Sequence, residues 1–354
     1  LNASFTTEIV LKQPAIPTID QLDPRRLLSV SLTNGALGVT GTGKNDIITV
    51  SLNANDATKL VIKVNKTITS ENLSAVKSVF IEGFAGQDNV TISEAFGAVT
   101  LPVTVYGDGG NDIVSTATGP ARVFLGDGND TFLGGNGNDT VYGEAGVDNL
   151  FGGAGKDYLD GGDDPDIIDG QSGNDRIFGE LGGDSINGSD GNDTISGAGG
   201  NDTITGDAGI DSISGEAGND FLIGGSDGDV MSGGSGDDSM LGNDGSDFMD
   251  GDDGNDTLDG GDGSDQLRGE NGDDSLTGDA GNDFLEGDDG NDRLLGGDDD
   301  DSLIGNGGRD YIHGQDGNDT IDGGKGIDTL FGGAGTNVFK GRKNGDDVAS
   351  EVRD

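Results

Sequence analysis

The sequence predicts an all-β chain in which about 12 regular 18-residue coils stack into a parallel β-roll, capped at its front by an irregular β segment. Three observations carry this expectation. An aspartate occupies every ninth position from Asp130 to Asp328, and Asn337 takes the next place. Two residues after each of these 24 positions stands an apolar side chain, from Phe132 and Val141 to Leu330 and Phe339. Five residues before each stands a glycine, with Leu125 the one exception. A short period without insertions is the mark of a repeat architecture, in which one small unit buries its apolar side only by stacking on its neighbours.

Gly134 to Tyr142 shows the unit cleanly, with the pattern Gly-Gly-x-Gly-x-Asp-x-apolar-x. Its glycine-rich part can turn tightly with positive φ. The last three residues suit a very short strand whose middle side chain points opposite to its neighbours. One residue in nine therefore enters the core, and two units close a coil with a turn on each edge. Met231, Met240 and Met249 occupy three successive core positions and read as adaptable filler. Asp164, Asp227 and Asp299 replace the third glycine of their units, which predicts altered turns.

Residues 1–26, with Pro14, Pro17 and Pro24, read as an extended lead-in. The segment 27–106 alternates in Val, Ile and Thr and forms the predicted cap. Its expected strands run over 29–32, 37–40, 47–52, 59–64, 78–82, 89–92 and 102–106. Degenerate repeats appear at Gly83 to Val90 and, more closely, at Gly107 to Val114. Asp112 keeps the 18-residue register with Asp130, although Ala121 replaces the aspartate between them, whereas Asp88 falls out of phase. The roll is expected over 107–340 and a short polar tail over 341–354. An atypical end is what a repeat stack needs, because an open coil exposes strand edges.

The formal net charge is -48, with 71 glycines and no cysteine. Residues 130–340 hold 51 Asp and Glu against 7 Lys and Arg, a balance of -44. Such a body repels itself unless cations condense on it, and it makes a poor partner for nucleic acid or anionic membranes. Stacked coils place each aspartate over the one 18 residues away. One edge then carries Asp112, Asp130, Asp148, Asp166, Asp184, Asp202, Asp220, Asp238, Asp256, Asp274, Asp292, Asp310 and Asp328. The other carries Asp139, Asp157, Asp175, Asp193, Asp211, Asp229, Asp247, Asp265, Asp283, Asp301 and Asp319.

Bare carboxylates stacked this closely are unfavourable. A hard divalent cation removes the penalty and takes turn carbonyls as further ligands. Calcium fits best, since it accepts six to eight oxygens in irregular geometry. The gaps between coils number up to about 22, so bound calcium supplies about 44 positive charges. With only one apolar residue in nine, folding is expected to be coupled to metal binding.

These features resemble the haemolysin-type, RTX calcium-binding nonapeptide repeats over 107–339. The resemblance implies a right-handed parallel β-roll with calcium between successive turns, the aspartate of each unit as side-chain ligand, and backbone oxygens from the turns. Gln21 to Ser29 resembles the leucine-acid-x-arginine leader of exported planctomycete proteins.

Motifs for catalysis do not hold together. Gly38 to Lys44 fits the start of a phosphate-binding loop, but Asn45 stands where Ser or Thr should ligate magnesium, and a strand follows instead of a helix. Gly224-Gly225-Ser226-Asp227-Gly228 matches a nucleophile elbow, yet it lies in a repeat turn and the chain has one histidine, His313. That single histidine also excludes a two-histidine zinc protease helix. The expectation is a non-enzymatic, secreted or cell-surface bacterial protein that binds calcium and serves a structural role. Other readings are an adhesin or extracellular matrix or surface-layer subunit, touching cell-envelope polysaccharide or surface proteins, or the non-catalytic module of a larger enzyme or toxin. No run of apolar residues is long enough for a transmembrane segment.

Overall fold

The computed structural model describes residues 29–83 and 85–340, together with the backbone of Asp347–Ala349. The expected lead-in, the leader-like segment up to residue 28 and the expected tail apart from that backbone lie outside the described residues.

Among the described residues there is no α-helix, only a single 3-10 turn at Leu73–Ala75. The chain passes back and forth between two sheets that share one core. One carries Val123, Val141, Leu159 and Ile177 in parallel register, each beside the residue 18 further on. The other aligns Phe132, Leu150 and Ile168 in the same way. About 13 turns of this parallel solenoid run from residue 103 to 340. Every repeat core residue from Phe132 to Leu330 is at most 2% exposed, the three methionines included. The fold class read from the period is therefore the observed one.

The cap is built differently. Strands β1 (Ser29–Thr33) and β2 (Ala36–Thr40) form an antiparallel hairpin, as do β3 (Ile47–Asn53), β4 (Asp56–Val64) and β5 (Thr67–Asn72). Each sheet thus begins with reversed strands that cannot continue the parallel stack. β2 then pairs in parallel with β6 (Ser78–Glu82), and β3 with β7 (Asn89–Ser93). β8 (Val103–Tyr106) and β9 (Ile113–Ser115) carry the two sheets into the roll. The strand at β5 was not expected. Thr67-Ile68-Thr69-Ser70-Glu71-Asn72 has no apolar face, because as an edge strand it buries none.

The cap packs more apolar side chains per coil than the roll, with Leu37, Val39, Ile48, Val50, Leu60, Ile62 and Ile81 fully buried. On the outer face of one sheet, Tyr106, Phe124 and Tyr142 stack ring on ring at 4.8 and 5.1 Å. That separation matches the distance between neighbouring strands, so the rings reinforce the coil stacking where cap meets roll.

Turn glycines are held by contact with the next coil. Gly200 has φ +148, and a Cβ there would overlap the carbonyl group of Gly182. Its neighbour Gly199 has no such conformation, and the nearest atom to a Cβ would be Leu181 Cδ2 at 3.3 Å. Gly200→Ala is expected to destabilise the roll by about 3 kcal/mol or more, lowering the midpoint of thermal unfolding followed by circular dichroism. Gly199→Ala should leave that midpoint nearly unchanged, and equal midpoints for the two variants would refute the contact argument. The three exceptional units do turn differently. Asp164, Asp227 and Asp299 have φ of 77, 74 and 76, whereas glycines at that place in neighbouring units, such as Gly173, Gly191 and Gly218, lie near +150.

Candidate metal centre

Each repeat aspartate stands where the turn passes into the strand, and both its backbone and its side chain are committed to other coils. The N–H of Asp130 donates to Oδ1 of Asp148 at 2.7 Å, and the N–H of Asp148 to Oδ1 of Asp166 at 2.7 Å. On the opposite edge Asp157 donates to Asp175 at 2.8 Å and Asp175 to Asp193 at 2.7 Å. The N–H of Asn149 donates to the backbone carbonyl of Asp130, 19 positions earlier, and the same bond recurs along both rows as far as Asp319. Two rows of carboxylates result, on the edges that the 18-residue spacing predicted. All the aspartates named as ligands are at most 3% exposed. The use of Oδ1 as a backbone acceptor was not legible in the sequence.

Only one oxygen of each carboxylate is used in this way. From Asp148 to Asp319 every member of both rows has its Oδ2 buried with no hydrogen-bond donor, and so do Asp88, Asp112 and Asp130. The orphaned oxygen points into the glycine turn. Where a Cβ would sit on Gly143, Oδ2 of Asp148 and the carbonyl oxygen of Gly161 converge, and Gly161 repeats this with Asp166 and Gly179. A side chain at that glycine would fill the space. A carboxylate oxygen and a carbonyl oxygen are therefore the nearest polar atoms at each of these two glycines.

Buried carboxylates in this setting resist ionisation. Burial pushes Asp130, Asp157, Asp166, Asp229, Asp256, Asp265, Asp292 and Asp301 up to about 7, the backbone N–H of the preceding coil offsetting part of the effect. Asp148, Asp175, Asp184 and Asp193 rise to about 6 for the same reason. A neighbouring carboxylate one coil away pushes several of them further in the same direction. An ionised, desolvated oxygen with no donor needs a counter-charge.

Among the described residues no three acidic or histidine side chains gather at one point. The residues that would hold an ion here are the row aspartates, through Oδ2, and the turn glycines, through their carbonyls. That all-oxygen, irregular donor set suits calcium and not the compact octahedron of magnesium.

Hydrogen-bond donors stand at three of the four row ends. At the front of one row Oδ2 of Asp46 accepts from the N–H and hydroxyl of Thr42, and its Oδ1 from Asn65 Nδ2 at 2.5 Å. At the front of the other, Ala121 N–H donates to Oδ1 of Asp139, and the Thr116 hydroxyl donates to its Oδ2 at 3.1 Å. Asp139, named from the sequence as a ligand, is thereby set apart from its row. At the far end Asn337 Oδ1 accepts from the Asp319 N–H, and its amide nitrogen faces Gly332 where other units present Oδ2. Sequence reasoning missed Thr116, Thr42 and Asn65 because nothing in the period marks them.

The other motifs fall away. Gly38 to Lys44 runs from β2 into an irregular turn before β3, with no helix to receive a phosphate. His313 lies half-buried against Phe331, ring centroids 5.7 Å apart. No described helix is long and apolar enough to cross a membrane.

The model of the family described as RTX calcium-binding nonapeptide repeat matches residues 103–120 and overlapping segments that run from 124 to 258 and from 259 to 348. The match covers the carboxylate rows from Asp112 onward. No curated protein matches the chain.

Proposed function

Because the chain belongs to the RTX calcium-binding nonapeptide repeat family, we propose that it is a secreted or cell-surface structural protein of a bacterium, whose roll folds and stiffens as calcium fills the two carboxylate rows. The observation that supports this reading is the buried Oδ2 without a donor, repeated coil after coil beside glycine carbonyls. A cell interior poor in calcium keeps such a chain extended, and a calcium-rich exterior folds it. Strands about 4.8 Å apart make the regular array a rod roughly 55 Å long.

Catalysis has no part in this reading. The buried acids sit at repeat-locked positions already committed to backbone donors, and His313 packs edge-on against the Phe331 ring. Native mass spectrometry in millimolar calcium is the test. A chain that acts this way should hold about 20 calcium ions, with magnesium unable to replace them at equal concentration. Retention of only one or two ions would remove the basis for a calcium-built rod.

A further inference from the structure

On the premise that calcium fills the rows, we propose that one row begins a coil before the nonapeptide array, with a divalent-cation site in the cap at Asp88. The family match starts at residue 103, so this aspartate lies outside it. Its separation from Asp112 is 24 residues instead of 18, which hides it from the period.

The structure closes that difference. β7 stacks on β9 in parallel register, Asn89 beside Ile113 and Val90 beside Val114, so the six additional residues are absorbed by the connection between β7 and β8. Asp88 therefore stands directly before Asp112 in the row. Its N–H donates to Oδ1 of Asp112 at 2.7 Å, and its own Oδ1 accepts from the Asp46 N–H at 2.7 Å.

Its surroundings reproduce those of the regular units. Asp88 is 3% exposed, and its Oδ2 is buried with no hydrogen-bond donor. A Cβ on Gly83 would lie 2.5 Å from that oxygen and 3.1 Å from the carbonyl oxygen of Gly107, the pairing seen at Gly143 with Asp148 and Gly161. Gly86 has φ +146 and donates to the Gly109 carbonyl at 2.7 Å, as Gly110 does to Asp127. Asp88 and Gly107 thus bring a carboxylate oxygen without a donor and a glycine carbonyl together beside Gly83.

The preceding position supplies the contrast. Asp46 is as buried as Asp88, but Thr42 and Asn65 donate to both its oxygens. Hydrogen bonds there do what a cation does at Asp88, and the row of ions stops between them.

Crystals of the full chain grown with calcium, examined by anomalous scattering, should show a peak against Asp88 Oδ2 and none against Asp46. Native mass spectrometry should count one calcium fewer for Asp88→Asn, which keeps the Oδ1 acceptor, and an unchanged number for Asp46→Asn. Peaks along the rows from Asp112 onward with none at Asp88, or an unaltered count in Asp88→Asn, overturn the cap site alone. A map with no ions in any turn overturns the calcium rod as well. The wild-type map decides the matter even where a variant does not fold.

Discussion

Chelating calcium at neutral pH is expected to abolish most of the β signal contributed by residues 107–340, and millimolar calcium to restore it. The roll buries one repeat side chain in nine, and the same coils bury an aspartate whose second oxygen has no donor. Without a cation, each buried carboxylate must be protonated or remain charged in a desolvated turn, beside others one coil away. Summed over a segment of balance -44, that opposes folding more strongly than the thin core favours it. The cap should respond differently. Its antiparallel hairpins and denser apolar packing need at most the single ion at Asp88, so amide protection should persist over β2, β3 and β4 in chelator. Circular dichroism with hydrogen exchange separates the two regions. An identical β spectrum with and without chelator would show that calcium is ornamental to the fold.

Acidification in chelator should partly rescue the roll, which inverts the usual acid sensitivity of an aspartate-rich protein. An unfolded aspartate titrates at about 3.9, whereas burial carries Asp130, Asp157 and Asp229 to about 7 and Asp184 and Asp193 to about 6. The folded chain therefore binds more protons than the unfolded one across that interval, and stability must fall as pH rises through it. The stabilisation is complete below about pH 4 and lost by about pH 7. A chelated sample should show more β structure at pH 5 than at pH 7.5.

With calcium present the sign reverses, because protons and calcium compete for the same oxygens. The calcium concentration at half-folding should rise by about tenfold or more between pH 7.5 and pH 5. A chelated sample that loses structure on acidification would contradict the raised values in the rows.

The regular part of this molecule is legible in its sequence because one constraint is repeated without error. The ninefold aspartate, the apolar residue two places on and the glycine five places before fix strand, core and turn together. Even the assignment of Asp130 and Asp148 to one edge and Asp139 and Asp157 to the other follows from counting. What escaped depends on contacts between places that the count does not connect. Asp88 was read as out of phase, since sequence spacing cannot distinguish a shifted register from residues looped out between β7 and β8. The hydroxyl of Thr116 reaches Asp139 across 23 residues, a pairing that only the stacked backbone defines. β5 was missed because an edge strand covering nothing has no hydrophobic rhythm to betray it.

The pairing of position with position 18 residues on has a consequence for how such a gene can change. Neighbouring regular coils are nearly interchangeable, while the front of each row is finished by side chains outside the regular units. Duplicating or deleting two consecutive units therefore alters only the reach of the rod and leaves each terminus joined to the sheet it fits. Losing a single unit would instead deliver every later segment to the wrong sheet and present the closing residues to the wrong partners. Variation in reach among descendants of this gene should accordingly come in whole coils.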